Sequence, residues 1–101
     1  MITIIQTKVF QRWPTRLPDR NARLIINERL FRLSNGLSSD VEPVGEGVGE
    51  LRIHYGPGYR VYFLTRGTAV IILLCGGNKS SQPRDIRRAK RLAQQWRKDH
   101  A

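Results

Sequence analysis

Arg52, His54, Arg60, Tyr62 and Lys79 are the side chains whose types and spacing could do chemistry. Arg52 and His54 precede a Gly56-Pro57-Gly58 turn signal, and Arg60 and Tyr62 follow it. Strand side chains alternate between faces, so each of these pairs lies on one side of its strand. A turn symmetric about Pro57 sets His54 opposite Arg60, Arg52 opposite Tyr62 and Tyr55 opposite Tyr59. One face then carries Glu50, Arg52, His54, Arg60 and Tyr62, and the other carries Leu51, Ile53, Tyr55, Tyr59, Val61 and Phe63. Lys79 follows the next apolar strand and can approach the polar face. A concave basic surface of this kind can hold a bent phosphodiester. Guanidinium and ammonium groups match the charge that builds on the phosphate oxygens, and a tyrosine or histidine moves the proton. Histidine titrates near neutrality, which suits either proton role. Glu50 is placed to orient Arg52 rather than to act as the base. The plainer alternative is a half-exposed sheet face that meets water. A bulge at the turn would exchange the two faces.

The flanking sequence supplies the elements that must hold these residues. Ile2 to Ile5 is a β-branched run and predicts a strand. Lys8 to Leu17 predicts a short helix with Val9, Phe10 and Trp13 on one side. Pro14 inside it forces that helix to be short, kinked or restarted, since proline costs about 3 kcal/mol in a helix interior. Pro18 ends it, and Asp19 is an N-cap for a second helix, Arg20 to Leu33. Ala22, Ile25, Ile26, Leu30 and Leu33 fall on one face of that helix, and Asn35-Gly36 stops it. Val41 to Gly47 reads as an irregular strand. Glu50 to Tyr55, Tyr59 to Thr65 and Thr68 to Cys75 then form an antiparallel meander. A two-residue turn at Arg66-Gly67 puts Val70, Ile72 and Leu74 on the Leu51 face, and Ile71, Leu73 and Cys75 on the other. The last strand is apolar on both sides, so it should be central and covered twice, the second time by the C-terminal helix. Ser81 or Gln82 caps that helix, Pro83 lies in its first turn, and Ile86, Ala89, Leu92, Ala93 and Trp96 mark its buried side. The expected fold class is α+β: an N-terminal strand and helical hairpin packed on a small antiparallel meander, with a C-terminal helix.

Composition narrows the partners. The 101 residues suit a single domain spanning 1–101. Eighteen basic residues against eight acidic ones give a formal charge of +10, which points to a polyanion. Fourteen of the basic residues are arginine, which pairs with phosphate bidentately and stacks on bases, so the bias favours nucleic acid. The surplus sits at the ends: residues 1–39 carry +5, residues 40–78 carry −1 and residues 79–101 carry +6. Arg20, Arg23, Arg87, Arg88, Arg91 and Arg97 lie largely off the apolar faces of the helices, where charge runs often serve only as solvated faces. One cysteine excludes an internal disulfide and a Cys-based zinc site, and Cys75 reads as a buried core residue rather than a catalytic thiol. Two histidines argue against a histidine-rich metal centre, and no cofactor is expected. No apolar run reaches the roughly 18 residues of a membrane span, and the N-terminus does not read as a signal peptide. A reduced, cytoplasmic setting is expected.

These residues also carry a resemblance. Glu50-Leu51-Arg52-Ile53, Tyr55 through Phe63, Leu73 through Gln82 and Asp85-Ile86 resemble the HigB-like, phage-derived (addiction module killer protein) branch of the RelE/ParE toxin superfamily. Phe10, Trp13, Leu17, Asp19, Ala22, Arg29 through Leu33 with Gly36, and Val44 through Val48 fit the same pattern, so the likeness spans nearly the whole chain. The chain departs from it at Pro14. The resemblance implies the toxin of a type II toxin–antitoxin pair. It implies a metal-independent endoribonuclease that cuts mRNA in the ribosomal A site by attack of the 2′-hydroxyl on the adjacent phosphate. Carried onto this chain, Arg60 becomes the phosphate clamp, Arg52 and Lys79 add charge, Tyr62 and His54 are candidates for proton transfer or base stacking, and Arg20, Arg23, Arg87, Arg88, Arg91 and Arg97 are the candidate RNA contacts on the helices. The implied partners are the ribosome, its mRNA and a small helix-turn-helix (HigA-like) antitoxin. The toxin alone is expected to be a monomer, joining a hetero-oligomer with that antitoxin. The ParE branch of the same superfamily offers the alternative, a non-enzymatic inhibitor of DNA gyrase.

Overall fold

The computed structural model describes residues 2–37 and 40–101. The elements run β1 (Thr3–Gln6), α1 (Lys8–Thr15), α2 (Arg20–Ser34), β2 (Val41–Gly45), β3 (Val48–Ile53), β4 (Tyr59–Arg66), β5 (Val70–Gly77), one 3₁₀ turn (Lys79–Ser81) and α3 (Gln82–Asp99). The architecture is α+β, as the sequence pattern predicts. All five strands share one sheet in the order β1-β5-β4-β3-β2. The meander is antiparallel, and β1 joins its far edge parallel to β5. None of the described helices is long and apolar enough to cross a membrane.

Local chemistry sets the helix ends. Thr7 caps α1, accepting from the Phe10 N–H, while its hydroxyl donates to the carbonyls of Leu73 and Leu74 on β5 at 2.8 and 3.0 Å. Pro14 lies in the last turn of α1, and the helix is short, ending at Thr15. Asp19 caps α2 by accepting from the N–H groups of Asn21 and Ala22. Its second oxygen accepts the Tyr55 hydroxyl at 2.7 Å, which ties the start of α2 to the end of β3. That hydrogen bond, more than any other influence, holds the Asp19 carboxyl below its usual range and raises the Tyr55 phenol.

Each face of the sheet has its own core. On one, α1 and α2 bring Phe10, Ala22, Ile26, Leu30 and Leu33 against Leu51, Ile53, Tyr59, Val61, Phe63, Ile71 and Leu73. On the other, Ala89 and Ala93 of α3 let that helix lie close over Val48, Tyr62, Leu64, Ile72, Leu74 and Cys75. Burying a large apolar side chain contributes about 1.5–3 kcal/mol, so both layers support the fold. β5 is covered on both sides, as its unbroken apolar run predicts.

Two features of register differ from expectation. β3 ends at Ile53, so five residues, 54–58, connect it to β4, and Ile53 faces Tyr59. Arg52 therefore faces Arg60 and Glu50 faces Tyr62. His54 is not opposite Arg60, and Arg52 is not opposite Tyr62. The shift is an even number of residues, so both strands keep their expected faces. The next turn changes more. It takes three residues, Gly67 to Ala69, and Arg66 faces Val70. One residue more than the expected two-residue turn inverts the side chains from Val70 to Leu74, and Cys75, beyond the bulge, keeps its expected face. Ile71 and Leu73 thus join the α1/α2 core, while Ile72 and Leu74 join the α3 core. A bulge between Tyr62 and Phe63 adds a residue to β5 and lets Tyr62 face Cys75.

Candidate phosphate-binding site

The Arg52–Arg60 pairing poses an electrostatic problem. Like charges directly opposite on neighbouring strands repel. Glu50 supplies the countercharge from the same sheet face. Its Oε1 accepts from Arg52 Nε at 2.9 Å, and its Oε2 lies 3.6 Å from Arg60 Nε. Oε2 also accepts the Tyr62 hydroxyl at 3.0 Å and Gln82 Nε2 at 2.8 Å. Glu50 is fully buried, which alone would push its carboxyl pKa up. The hydrogen bonds from Gln82, Arg52 and Tyr62, with the Arg60 charge, outweigh that penalty and hold it below the ordinary value. The same bond to Glu50 raises the Arg52 guanidinium further.

The loop after β5 completes the site. Gly76 and Gly77 leave room for neighbours that any Cβ would strike. A Cβ on Gly76 would come within 2.3 Å of the Trp13 ring, and one on Gly77 within 1.8 Å of Asp85 Oδ2. Asn78 accepts from the N–H groups of Ser80 and Ser81 and so winds the 3₁₀ turn that presents Lys79. Ser81 takes the N-cap position of α3, but its hydroxyl donates to the buried Asp85 carboxylate instead of capping the helix. The Lys79 N–H donates to Pro57 O at 3.3 Å, which joins this loop to the Gly56-Pro57-Gly58 turn. Gly58 sits there with φ +77°, between Lys79 and the Arg60 guanidinium. A Cβ on it would lie 3.3 Å from Lys79 Cβ and 3.4 Å from Arg60 Nη1.

Arg52, Arg60 and Lys79 are thus brought together around one turn, and three cations against the buried carboxylates of Glu50 and Asp85 leave the group net positive. The Arg60 side chain is only 11% exposed and is clamped by donating from Nη1 to Gly58 O at 2.9 Å. Its buried Nε has no hydrogen-bond partner among the described residues. Tyr62 joins the group from below, through its hydroxyl bond to Glu50. It is fully buried, and burial followed by its bond to Glu50 pushes the phenol pKa far up. His54 is 72% exposed beyond the end of β3, with Nε2 3.5 Å from Asp40. Cys75 is a core residue, its thiol pushed up to about 12, chiefly by burial.

The remaining arginines spread over the helices. Arg87, Arg88, Arg91 and Arg97 are exposed on α3, and Arg97 also donates to Glu46 O at 2.7 Å. Arg20 is exposed at the start of α2, whereas Arg23 donates to Leu17 O at 2.7 Å and helps join the two N-terminal helices. Arg88 also lines a small cavity with Arg12, Arg16 and Trp13 beside Gly76. Sequence reasoning gave no role at the site to Gln82, whose contact with Glu50 spans 32 positions of the chain. The signal was the loop motif itself, since a Gly-Gly-Asn-Lys turn fixes where the next side chain points. Among the described residues, no three His, Cys, Asp or Glu side chains cluster as metal ligands would.

This arrangement has relatives. A protein of Haemophilus influenzae, described only as uncharacterized, is 45% identical over 94 residues, covering 93% of this chain and 95% of its own length. The family described as "Phage derived protein Gp49-like (DUF891)" matches residues 8–98, from the start of α1 almost to the end of α3 and across the whole basic site. With that extent of agreement, the chain belongs to the phage-derived Gp49-like family.

Proposed function

We propose that residues 1–101 form one toxin domain of a type II toxin–antitoxin pair, and that it acts as a ribosome-dependent mRNA endonuclease of the RelE/ParE type, in the HigB-like branch. The observation that carries this reading is the convergence of Arg52, Arg60 and Lys79 on one turn with Arg60 held rigid by Gly58 and Glu50. The RNA supplies its own nucleophile. The 2′-hydroxyl forms a bond to the adjacent phosphorus as the bond to the 5′-oxygen breaks, leaving a 2′,3′-cyclic phosphate and a free 5′-hydroxyl. Arg60 clamps the phosphate, and Arg52 and Lys79 offset the charge that develops on its oxygens. Of the two candidate proton carriers, His54 keeps access to solvent, and Tyr62 serves to hold Glu50 in place. The exposed arginines of α2 and α3 grip ribosomal RNA through phosphates, and that grip weakens with salt. A helix-turn-helix antitoxin of the HigA-like kind covers the basic surface in the resting cell. The cytoplasm is the setting this function requires.

The burial of both Glu50 and Tyr62 favours one alternative, a ParE-like inhibitor of DNA gyrase that uses the same surface without proton transfer. Induction in cells, with mapping of mRNA 5′ ends and an assay of DNA supercoiling, decides between them. The nuclease gives cuts within translated codons that vanish with Arg60→Ala or Lys79→Ala. Gyrase inhibition with intact mRNA would overturn the nuclease reading.

A further inference from the structure

β4 connects the basic site to a second cluster at its other end. Arg60 and Arg66 are six residues apart on this strand, about 20 Å at the usual strand rise. Around Arg66 the last turn of α3 contributes Trp96, Arg97 and His100. The His100 imidazole stacks on the Trp96 indole with centroids 4.0 Å apart and planes 10° from parallel. The Arg66 guanidinium lies 5.4 Å from the indole centroid, and its Nη1 donates to His100 O at 3.2 Å. Leu64 and Thr65 wall a cavity of about 230 Å³ beside this stack. Arg66 and Arg97 have no carboxylate within ion-pairing distance among the described residues. The Trp96 and His100 rings, an apolar wall and two guanidinium groups paired with no carboxylate side chain line this cavity together with Ala101, a lining that suits a flat anionic ligand. The volume is below the roughly 300–1,000 Å³ of pockets that enclose drug-sized molecules.

We infer that this cavity is a base-stacking subsite that receives one unpaired nucleobase of a single-stranded RNA whose phosphate is held at Arg60. The inference rests on the RNA-cleaving reading above. Stacking accepts any base, because every base has a π-face, so the subsite adds affinity without sequence preference. Arg66 and Arg97 take the flanking phosphates. The separation of about 20 Å corresponds to about six stacked nucleotides, or fewer when the strand is extended.

The test is binding of the purified full chain to a labelled ten-nucleotide single-stranded RNA, beside a backbone of equal length made of abasic riboses. The intact RNA binds the native protein roughly tenfold or more tighter than the abasic strand. Trp96→Leu removes that difference and leaves abasic binding unchanged. His100→Ala, at an exposed position, lowers the difference several-fold without disturbing helix packing. In a Trp13→Phe background, intact RNA quenches the remaining indole and the abasic strand does not. Equal binding of intact and abasic RNA by the native protein would overturn the subsite, as would equal loss of both in Trp96→Leu. These results are independent of cleavage. Base-dependent binding without mRNA cuts in cells sinks the nuclease and keeps the subsite, and cuts with base-independent binding do the reverse.

Discussion

The two faces of the sheet use their buried layers for different ends, and the larger apolar layer lies under α1 and α2. Under α1 and α2 the buried layer is apolar throughout, from Phe10 and Ile26 to Leu51, Phe63 and Leu73. Under α3 an apolar layer of Val48, Leu64, Ile72 and Leu74 runs into Glu50, Tyr62, Gln82 and Arg60 near the helix N-terminus. A closed apolar face gains stability from every methylene it buries. The mixed face must pair each polar group it buries, and one of them, Arg60 Nε, has no hydrogen-bond partner among the described residues. Stability is therefore concentrated on one side, and fixed charge is prepared on the other.

The largest effect that can break this contrast is on activity. Arg60→Leu is expected to lower mRNA cleavage about 100- to 1,000-fold, as loss of a transition-state donor does. Its stability in urea should fall by about 1–3 kcal/mol, because buried Glu50 loses one countercharge but keeps its hydrogen bonds from Arg52, Tyr62 and Gln82. A variant that unfolds would instead make Arg60 part of the scaffold. On the opposite face, Leu51→Ala should destabilise by about 3 kcal/mol in the same urea titration. Cleavage per folded molecule should be preserved there, and a large loss in that quantity would show the faces to be coupled. Tyr62→Phe removes a buried hydrogen bond to a carboxylate and should cost about 1.5–3 kcal/mol. Its cleavage rate should fall less than tenfold, and a fall beyond 100-fold would make the phenol a proton carrier and move it out of the scaffold.

The smallest effect is a pH dependence. The Glu50 carboxyl is held below its ordinary value in the folded chain. Its contribution is complete above the unfolded value of about 4 and is lost as pH falls through the folded value. Thermal melts of the native protein should therefore hold steady down to about pH 5 and decline below about pH 4. In Glu50→Gln the acid decline should be shallower, and an equally steep decline would place the acid-sensitive group elsewhere.

Much of the fold was legible because it depends on neighbours in sequence. Alternation assigned Leu51, Ile53, Val61 and Phe63 to one face and Glu50, Arg52, Arg60 and Tyr62 to the other, and those assignments match the sheet. Asp19 was readable as a cap because the side chain bonds only two and three positions ahead. The facing pairs were not readable, since they depend on the number of residues each turn takes. Five residues after Ile53 kept the faces and changed the partners, while three after Arg66 changed the faces of β5 as far as its bulge.

The sequence by itself determined the charge surplus, the alternating strands, the apolar stripes of the helices and the identity of the basic residues that could meet phosphate. Each is a property of residue type or of separations of a few positions. Only the tertiary structure decided that Glu50 would be buried among Arg52, Arg60, Tyr62 and Gln82. It also decided that His54 would lie outside that group and that Arg66 would meet Trp96 and His100. Those contacts join elements far apart in the chain. Whether they form depends on how α3 docks across the sheet, a balance of packing and desolvation that no local pattern encodes.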